Sequence, residues 1–269
     1  MNSTNNKNMN SIAKTLLLVV PAFVLALPAT LLAATFSDDF STGLNPSYWS
    51  FNSSAPGVYS VDATHGDVRL AKVAATTGDQ GGQVFLNLAS TFGGPIVGDF
   101  SSQVSFSNPV FGSGGSGQDE MQLNIYLSNN ADPFADISST AYKFDVYDNG
   151  GGLNYHVYDN LAGHGNHPTA ATSGTFSIVR TGGNTITAYF NGDPFFTQTN
   201  GNLTAPLAAI SFSLENQPND AGGSPSVTFD NFSLTGTAAA PEPSSAILLL
   251  SGAALCLCRR SLRTNCRNA

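Results

Sequence analysis

The chain has 269 residues, of which 41% are hydrophobic and only 10% charged, with a formal net charge of −8. Between residues 35 and 238 four basic residues (Arg69, Lys72, Lys143, Arg180) face seventeen acidic ones, a charge of −13, which excludes a nucleic-acid binder because phosphate contacts need clustered Lys and Arg. The three cysteines (Cys256, Cys258, Cys266) all lie near the C-terminus, so disulfides cannot hold the roughly 200 residues before them, a length sufficient for one domain with its own core.

In chain order, residues 1–14 are polar and carry Lys7 and Lys14, and "TLLLVVPAFVLALPATLLAA" follows from Thr15 to Ala34. A cationic start, an apolar stretch and a small-residue exit read as a secretory signal peptide over residues 1–34, cleaved near Ala33 or Ala34. The apolar stretch is long, and an uncleaved anchor helix is the alternative; Pro21 and Pro28 favour the signal.

Residues 35–236 then read as all-β, because short alternating runs are punctuated by Gly, Asn, Asp and Pro. In "EMQLNIYLS" Met121, Leu123, Ile125 and Leu127 point one way, and Gln122, Asn124 and Tyr126 the other. "AYKFDVYD" turns Tyr142, Phe144 and Val146 inward and Lys143, Asp145 and Tyr147 outward, and "GLNYHVYD" sets Leu153, Tyr155 and Val157 against Asn154, His156 and Tyr158. "NTITAYF", "AAISFSLE" and weaker runs at 58–63, 67–73, 83–88, 99–107, 174–180 and 226–235 bring the count to about a dozen strands. So many strands in one domain predict two antiparallel sheets packed face to face, with polar outer faces.

The stretches "FSDDFSTGLNPSYWSF", "GDFSSQVSFS", "FSIVRTGGNTITAYFNG" and "VTFDNFSLTG" resemble the concanavalin A-like lectin/glucanase superfamily, laminin-G-like domains included. The resemblance implies a jelly-roll sandwich, frequent carbohydrate binding and often a structural calcium ion. It also implies that the first and last strands are neighbours.

Glycosidases use a pair of carboxylates, and laminarinase-type members of the superfamily carry them as Glu-x-Asp-x-x-Glu, a pattern absent here. Glu120 and Glu215, the only glutamates between residues 35 and 238, are expected at strand ends as solvated charges, so no catalytic residue is assigned; the fifteen aspartates leave an Asp-based hydrolase or a lyase open. A structural calcium is expected at Asp230 with Asp39 or Asp38, the alternative being that these aspartates cap turns. The last strand changes apolar phase between Val227/Phe229 and Phe232/Leu234, which predicts a bulge at Asp230 or Asn231.

Gln122, Asn124, Tyr126, Asp145, Tyr147, Asn154, His156 and Tyr158 form the candidate ligand face, since rings cover the apolar side of a sugar while amides and carboxylates take its hydroxyls. The competing reading is an ordinary solvated sheet face. Trp49, the single tryptophan, is expected in the core. His164 and His167 stand in the Gly- and Pro-containing run "LAGHGNHPTA", read as a loop, with no third or fourth metal ligand evident nearby.

After a small-residue linker at 237–240, the tail "PEPSSAILLLSGAALCLCRRSLR" sets Pro241, Glu242 and Pro243 before a 13-residue apolar run and an arginine cluster beginning at Arg259 and Arg260. As a helix that run spans about 20 Å, against about 30 Å of hydrocarbon. The three parts in this order resemble the PEP-CTERM sorting signal of Gram-negative bacteria; a plain stop-transfer helix is the alternative. The resemblance implies transient contact with the inner membrane, processing by an exosortase, and release or attachment at the surface of an exopolysaccharide-producing cell. The reading is therefore an exported, non-catalytic protein that binds polysaccharide; a polysaccharide-degrading enzyme and a purely structural surface protein are the alternatives.

Overall fold

Among the described residues, alternation of apolar and polar residues resolves into fifteen strands, every pair of them antiparallel, as an alternating sequence with short turns dictates. The computed structural model describes residues 33–75, 80–111, 119–128, 141–148, 153–158, 163–199, 201–216 and 224–238. The strands are β1 Ala33–Asp38, β2 Trp49–Ser53, β3 Tyr59–Asp62, β4 Val68–Lys72, β5 Gln80–Leu86, β6 Ile96–Val110, β7 Asp119–Leu127, β8 Ala141–Asp148, β9 Leu153–Tyr158, β10 Gly163–Thr169, β11 Ser173–Thr181, β12 Thr185–Phe190, β13 Asp193–Thr199, β14 Leu207–Asn216 and β15 Ser226–Ala238. One short helix, α1 Leu88–Phe92, follows β5; Asn87 caps its first turn by accepting from Ser90 N–H, and Gly93 closes it at φ 75°. Among the described residues no helix is long and apolar enough to cross a membrane. Most of the leader and the whole of the tail read from the sequence, together with residues 112–118 and 217–223, lie outside the described residues.

The pairing separates into two layers. One runs β2-β5-β14-β7-β8-β9-β10, the other β13-β12-β11-β6-β15 with β1 and β4 side by side on the far edge of β15 and β3 outside β4. A single pair, Leu207 with Ile96, links β14 to β6 and so joins the layers. Between them lies an aromatic core: Phe144 of β8 meets Phe176 of β11 with ring centroids 4.4 Å apart, and Phe212 of β14 meets Phe229 of β15 at 4.8 Å. Trp49 is buried as expected, edge-on to Phe232 at 5.0 Å and beside Phe40 and Phe212. This is the two-sheet sandwich anticipated from the strand count and the jelly roll that the resemblance implies, with more strands than the pattern displayed.

The first and last strands pair, Ala33 with Thr237 through Asp38 with Phe232. Beside β6 the register of β15 shifts between Asp230 and Ser233, and Asn231 sits at φ 50°. That bulge returns Phe232 and Leu234 to the core face already occupied by Val227 and Phe229, as the change of apolar phase requires. One expectation is corrected: "GHGNHPT" is strand β10 rather than a loop, paired with β9 through a bulge between His164 and His167. His167 stacks on Tyr155 at 5.1 Å, an aromatic packing role; the His164 side chain lies outside the described residues.

Arg180 of β11 is fully buried. Its guanidinium donates to the carbonyl oxygens of Gly98, Leu203 and Ala205 and lies over the Phe100 ring at 4.8 Å, tying the turn before β14 to the start of β6.

Candidate functional site

On β7 the alternation that sends Met121, Leu123, Ile125 and Leu127 into the aromatic core sends Glu120, Gln122, Asn124 and Tyr126 to the opposite face. Register then assembles rows across neighbouring strands. Gln83, Ser213, Gln122, Asp145 and His156 form one row over β5, β14, β7, β8 and β9. Phe85, Ser211, Asn124, Lys143 and Tyr158 form the next, and Glu215, Glu120, Tyr147 and Asn154 lie on the other side. Thus Gln122, Asn124, Tyr126, Asp145, Tyr147, Asn154 and His156 share one face; Tyr158 occupies its row, but its side chain lies outside the described residues.

Two expectations about this face are overturned. It is not a solvated sheet surface: Gln122 and Asn124 are completely buried, Asp145 is 1% exposed and Tyr126 2%. Nor are the two glutamates free charges at strand ends. They are cross-strand partners, with Glu120 only 7% exposed and the Glu215 side chain 14%. Neighbouring strands on both sides of β7 set the two glutamates side by side inside a continuous sheet, which linear spacing does not reveal.

Buried polar groups must find partners, and here they find one another. Gln122 Nε2 donates to Glu120 Oε2 at 2.7 Å and to Glu215 Oε2 at 3.3 Å, while its Oε1 accepts from Ser213 Oγ at 3.0 Å. Asn124 Nδ2 donates to Ser213 Oγ at 2.9 Å and Ser211 Oγ at 3.3 Å. Glu215 also accepts from Gln83 Nε2 at 3.0 Å and forms an ion pair with Lys143 Nζ at 3.1 Å. Gly81, opposite Glu215 in register, makes this possible: a Cβ there would stand 2.7 Å from Glu215 Cγ.

The charges perturb one another. Burial, reinforced by the Asp145 and Glu215 carboxylates, pushes Glu120 up to about 8. Asp145, wholly desolvated, is raised well above the carboxylate range, and its Oδ1 lies 2.5 Å from His156 Nδ1. Burial holds His156 below its ordinary value and pushes Tyr126 up to about 12. Burial alone would lower Lys143, but the adjacent Glu215 outweighs it and the net shift is upward. The face therefore offers a proton-holding carboxyl beside an ion-paired one, amides that both donate and accept, and aromatic edges.

The three aspartates expected to hold calcium occupy another corner, where Asp38 and Asp39 border a hollow of about 450 Å³ with Gln103, Asn231 and Ser233. Asp38 Oδ1 accepts Phe40 N–H and Oδ2 accepts Trp49 Nε1–H, both at 2.8 Å. Asp39 accepts Ser41 N–H at 3.1 Å, and both Asp230 oxygens are taken by the backbone and side-chain N–H groups of Asn231. Among the described residues no three His, Cys, Asp or Glu side chains gather as metal ligands. A calcium cage needs about six to eight converging oxygens. As they stand, these donors cap turns and anchor the core tryptophan.

No family model matches this sequence, and no curated protein matches it either. Solved structures do share its fold. The carbohydrate recognition domain of Emp47p aligns over 77% of this chain and 96% of its own at 11% identity, TM-score 0.50. A LamA variant from Z. galactanivorans, in complex with laminaritriose and laminaritetraose, aligns over 77% of this chain and all of its own at 11% identity and the same score. A GlcNAcα1-4Gal releasing endo-β-galactosidase from Clostridium perfringens aligns over 78% of this chain and 64% of its own at 10% identity, TM-score 0.50.

Proposed function

We propose that this chain is an exported, non-catalytic polysaccharide-binding protein of the bacterial cell surface or matrix. The observation that carries the reading is the cross-strand polar network of Gln83, Gln122, Asn124, Lys143, Ser213 and Glu215, on a face where apolar residues would pack at less cost. Such a network fixes its buried amides as a rigid floor and holds its more open members, Lys143 at 27% and Glu215 at 14% side-chain exposure, in set positions where sugar hydroxyls would meet them. The solved structures of like fold, among them a carbohydrate recognition domain and a complex with laminari-oligosaccharides, support the same reading. Binding is favoured over cleavage because Gln122 and Asn124 are amides and because Glu215 is engaged by Lys143, Gln83 and Gln122. Glycoside hydrolysis asks for an acid and a second carboxylate free to act on opposite sides of one bond.

One observation favours a hydrolase as the second reading: Glu120, pushed up to about 8, stands directly opposite Glu215. Incubating the protein with polysaccharides and measuring new reducing ends separates the two. Retained glycan without product supports the binder; product that disappears in Glu120→Gln supports the enzyme.

Export and sorting belong to the same proposal, supported by the leader over residues 1–34 and by Pro241, Glu242, Pro243 and the arginines from Arg259 onward. An exosortase-type enzyme is the processing partner, and the inner membrane is met only in transit. In a Gram-negative host with an exosortase, the chain should lose its tail and appear at the surface. Replacing Pro241 and Pro243 with Ala should leave it unprocessed.

A further inference from the structure

The polar face is buried at its centre and open at one end. Ser50 of β2 stands opposite Phe85 of β5, and Asn52 opposite Gln83, so these two residues carry the face onto the edge strand of its layer. Both are exposed, and neither side chain has a hydrogen-bond partner among the described residues. The Gln122 and Asn124 amide groups, by contrast, donate within the sheet.

A hollow of about 430 Å³ lies at this open end. Phe85, Ala208 and Ala209 line it from the sheet and the first turn of α1 from beside it, with Ser50 and Asn52 also on its lining. Its volume falls in the range of about 300–1,000 Å³ that small-molecule sites occupy. Two features of the chain keep it in shape. The register of β14 against β7 shifts between Leu207 and Ala209, making Ala208 the extra residue of a bulge, and the short side chains of both alanines leave the space clear. Phe85 is half-buried and packs on Tyr126, ring centroids 6.4 Å apart, which holds the ring in place.

No charged residue borders the hollow. A charged sugar would lose water there and gain no countercharge, whereas a neutral ring can set its CH face on Phe85 and its hydroxyls against Asn52 and Ser50. The hollow also continues a single register row: Ser50, Phe85, Ser211, Asn124 and Lys143 over β2, β5, β14, β7 and β8. At about 4.8 Å between strands that row spans about 19 Å, long enough for several sugar units laid across the strands.

We infer that the hollow beside β2, β5 and α1 is a subsite for a neutral pyranose unit, with Phe85 as the stacking platform and Asn52 and Ser50 as hydroxyl partners. It takes one end of a glycan that crosses the strands toward Lys143 and Glu215. The inference rests on the polysaccharide-binding reading above and adds to it a place of contact and a class of sugar.

The test titrates hexasaccharides of glucose, mannose, galactose and xylose calorimetrically into the full chain and its variants. At least one should bind the wild type. Phe85→Leu, which keeps an apolar contact with Tyr126 but removes the flat ring, should weaken that binding about fivefold. Asn52→Ala, at an exposed position outside the buried network, should weaken it about threefold and so separates contact with the sugar from a packing effect. Affinity unchanged in the Phe85→Leu, Asn52→Ala double variant would overturn the subsite while leaving polysaccharide binding intact. Binding of none of the four by the folded wild type would overturn both.

Discussion

The two faces of β7 are buried alike and built to opposite rules. Met121, Leu123, Ile125 and Leu127 press into an aromatic core where shape alone decides; Glu120, Gln122, Asn124 and Tyr126, one residue out of phase, are held by hydrogen bonds. An antiparallel sheet ordinarily leaves its second face to water. Burying that face with polar groups costs desolvation that an apolar face would not, so its retention points to recognition rather than to stability.

The largest effect expected on either face belongs to the core. Phe212, fully buried among Phe40, Trp49, Phe229 and Phe232, should lose about 3–5 kcal/mol of unfolding free energy on Phe212→Ala in a urea titration. Gln122→Ala should cost about 2 kcal/mol, because it removes little volume but leaves Glu120, Glu215 and Ser213 short of a partner. If the polar truncation cost as much as the aromatic one, the two faces would not differ as described.

The pH dependence sharpens the contrast further, since only the polar face titrates. Glu120 is raised from 4.5 to about 8, so its contribution is fully present below about 4.5 and is lost as pH rises through about 8; Asp145 acts in the same direction. His156, lowered from 6.5, acts oppositely and weakens the fold as pH falls below that value. Melting temperatures measured from pH 4 to 9 should fall toward the alkaline end, and Glu120→Gln should flatten the fall. The smallest effect concerns the Asp38 corner: with its carboxylates spent on Phe40, Trp49 and Ser41, a chelator should leave the melting temperature unchanged. A drop on chelation would show that these aspartates hold an ion after all.

Much of the fold was legible along the chain because β7, β8 and β9 each alternate cleanly and because the phase change near Asp230 marks a bulge. Strands β1, β2, β10 and β13 were not. Ala33 and Ala34 open β1 yet look like the exit of a leader, and Gly163, Gly165 and Pro168 disguise β10 as a loop. The candidate site was legible as a list of residues facing one way. What the list lacked was lateral information: that Glu215 stands opposite Glu120, that Gly81 leaves room for it, and that Gln122, Asn124, Tyr126 and Asp145 are buried. Cross-strand register arises from the packing of distant segments, so no local pattern carries it. Arg180 was missed for the same reason, its partners lying 82, 23 and 25 residues away.

Whether the polar face holds a glycan is settled by a glycan array probed with the wild-type chain and with a Lys143→Gln, Glu215→Gln double variant whose melting profile remains cooperative. The wild type should retain at least one polysaccharide without releasing product, and the variant should bind it differently or not at all. Retention identical in both, or by neither, would contradict that role.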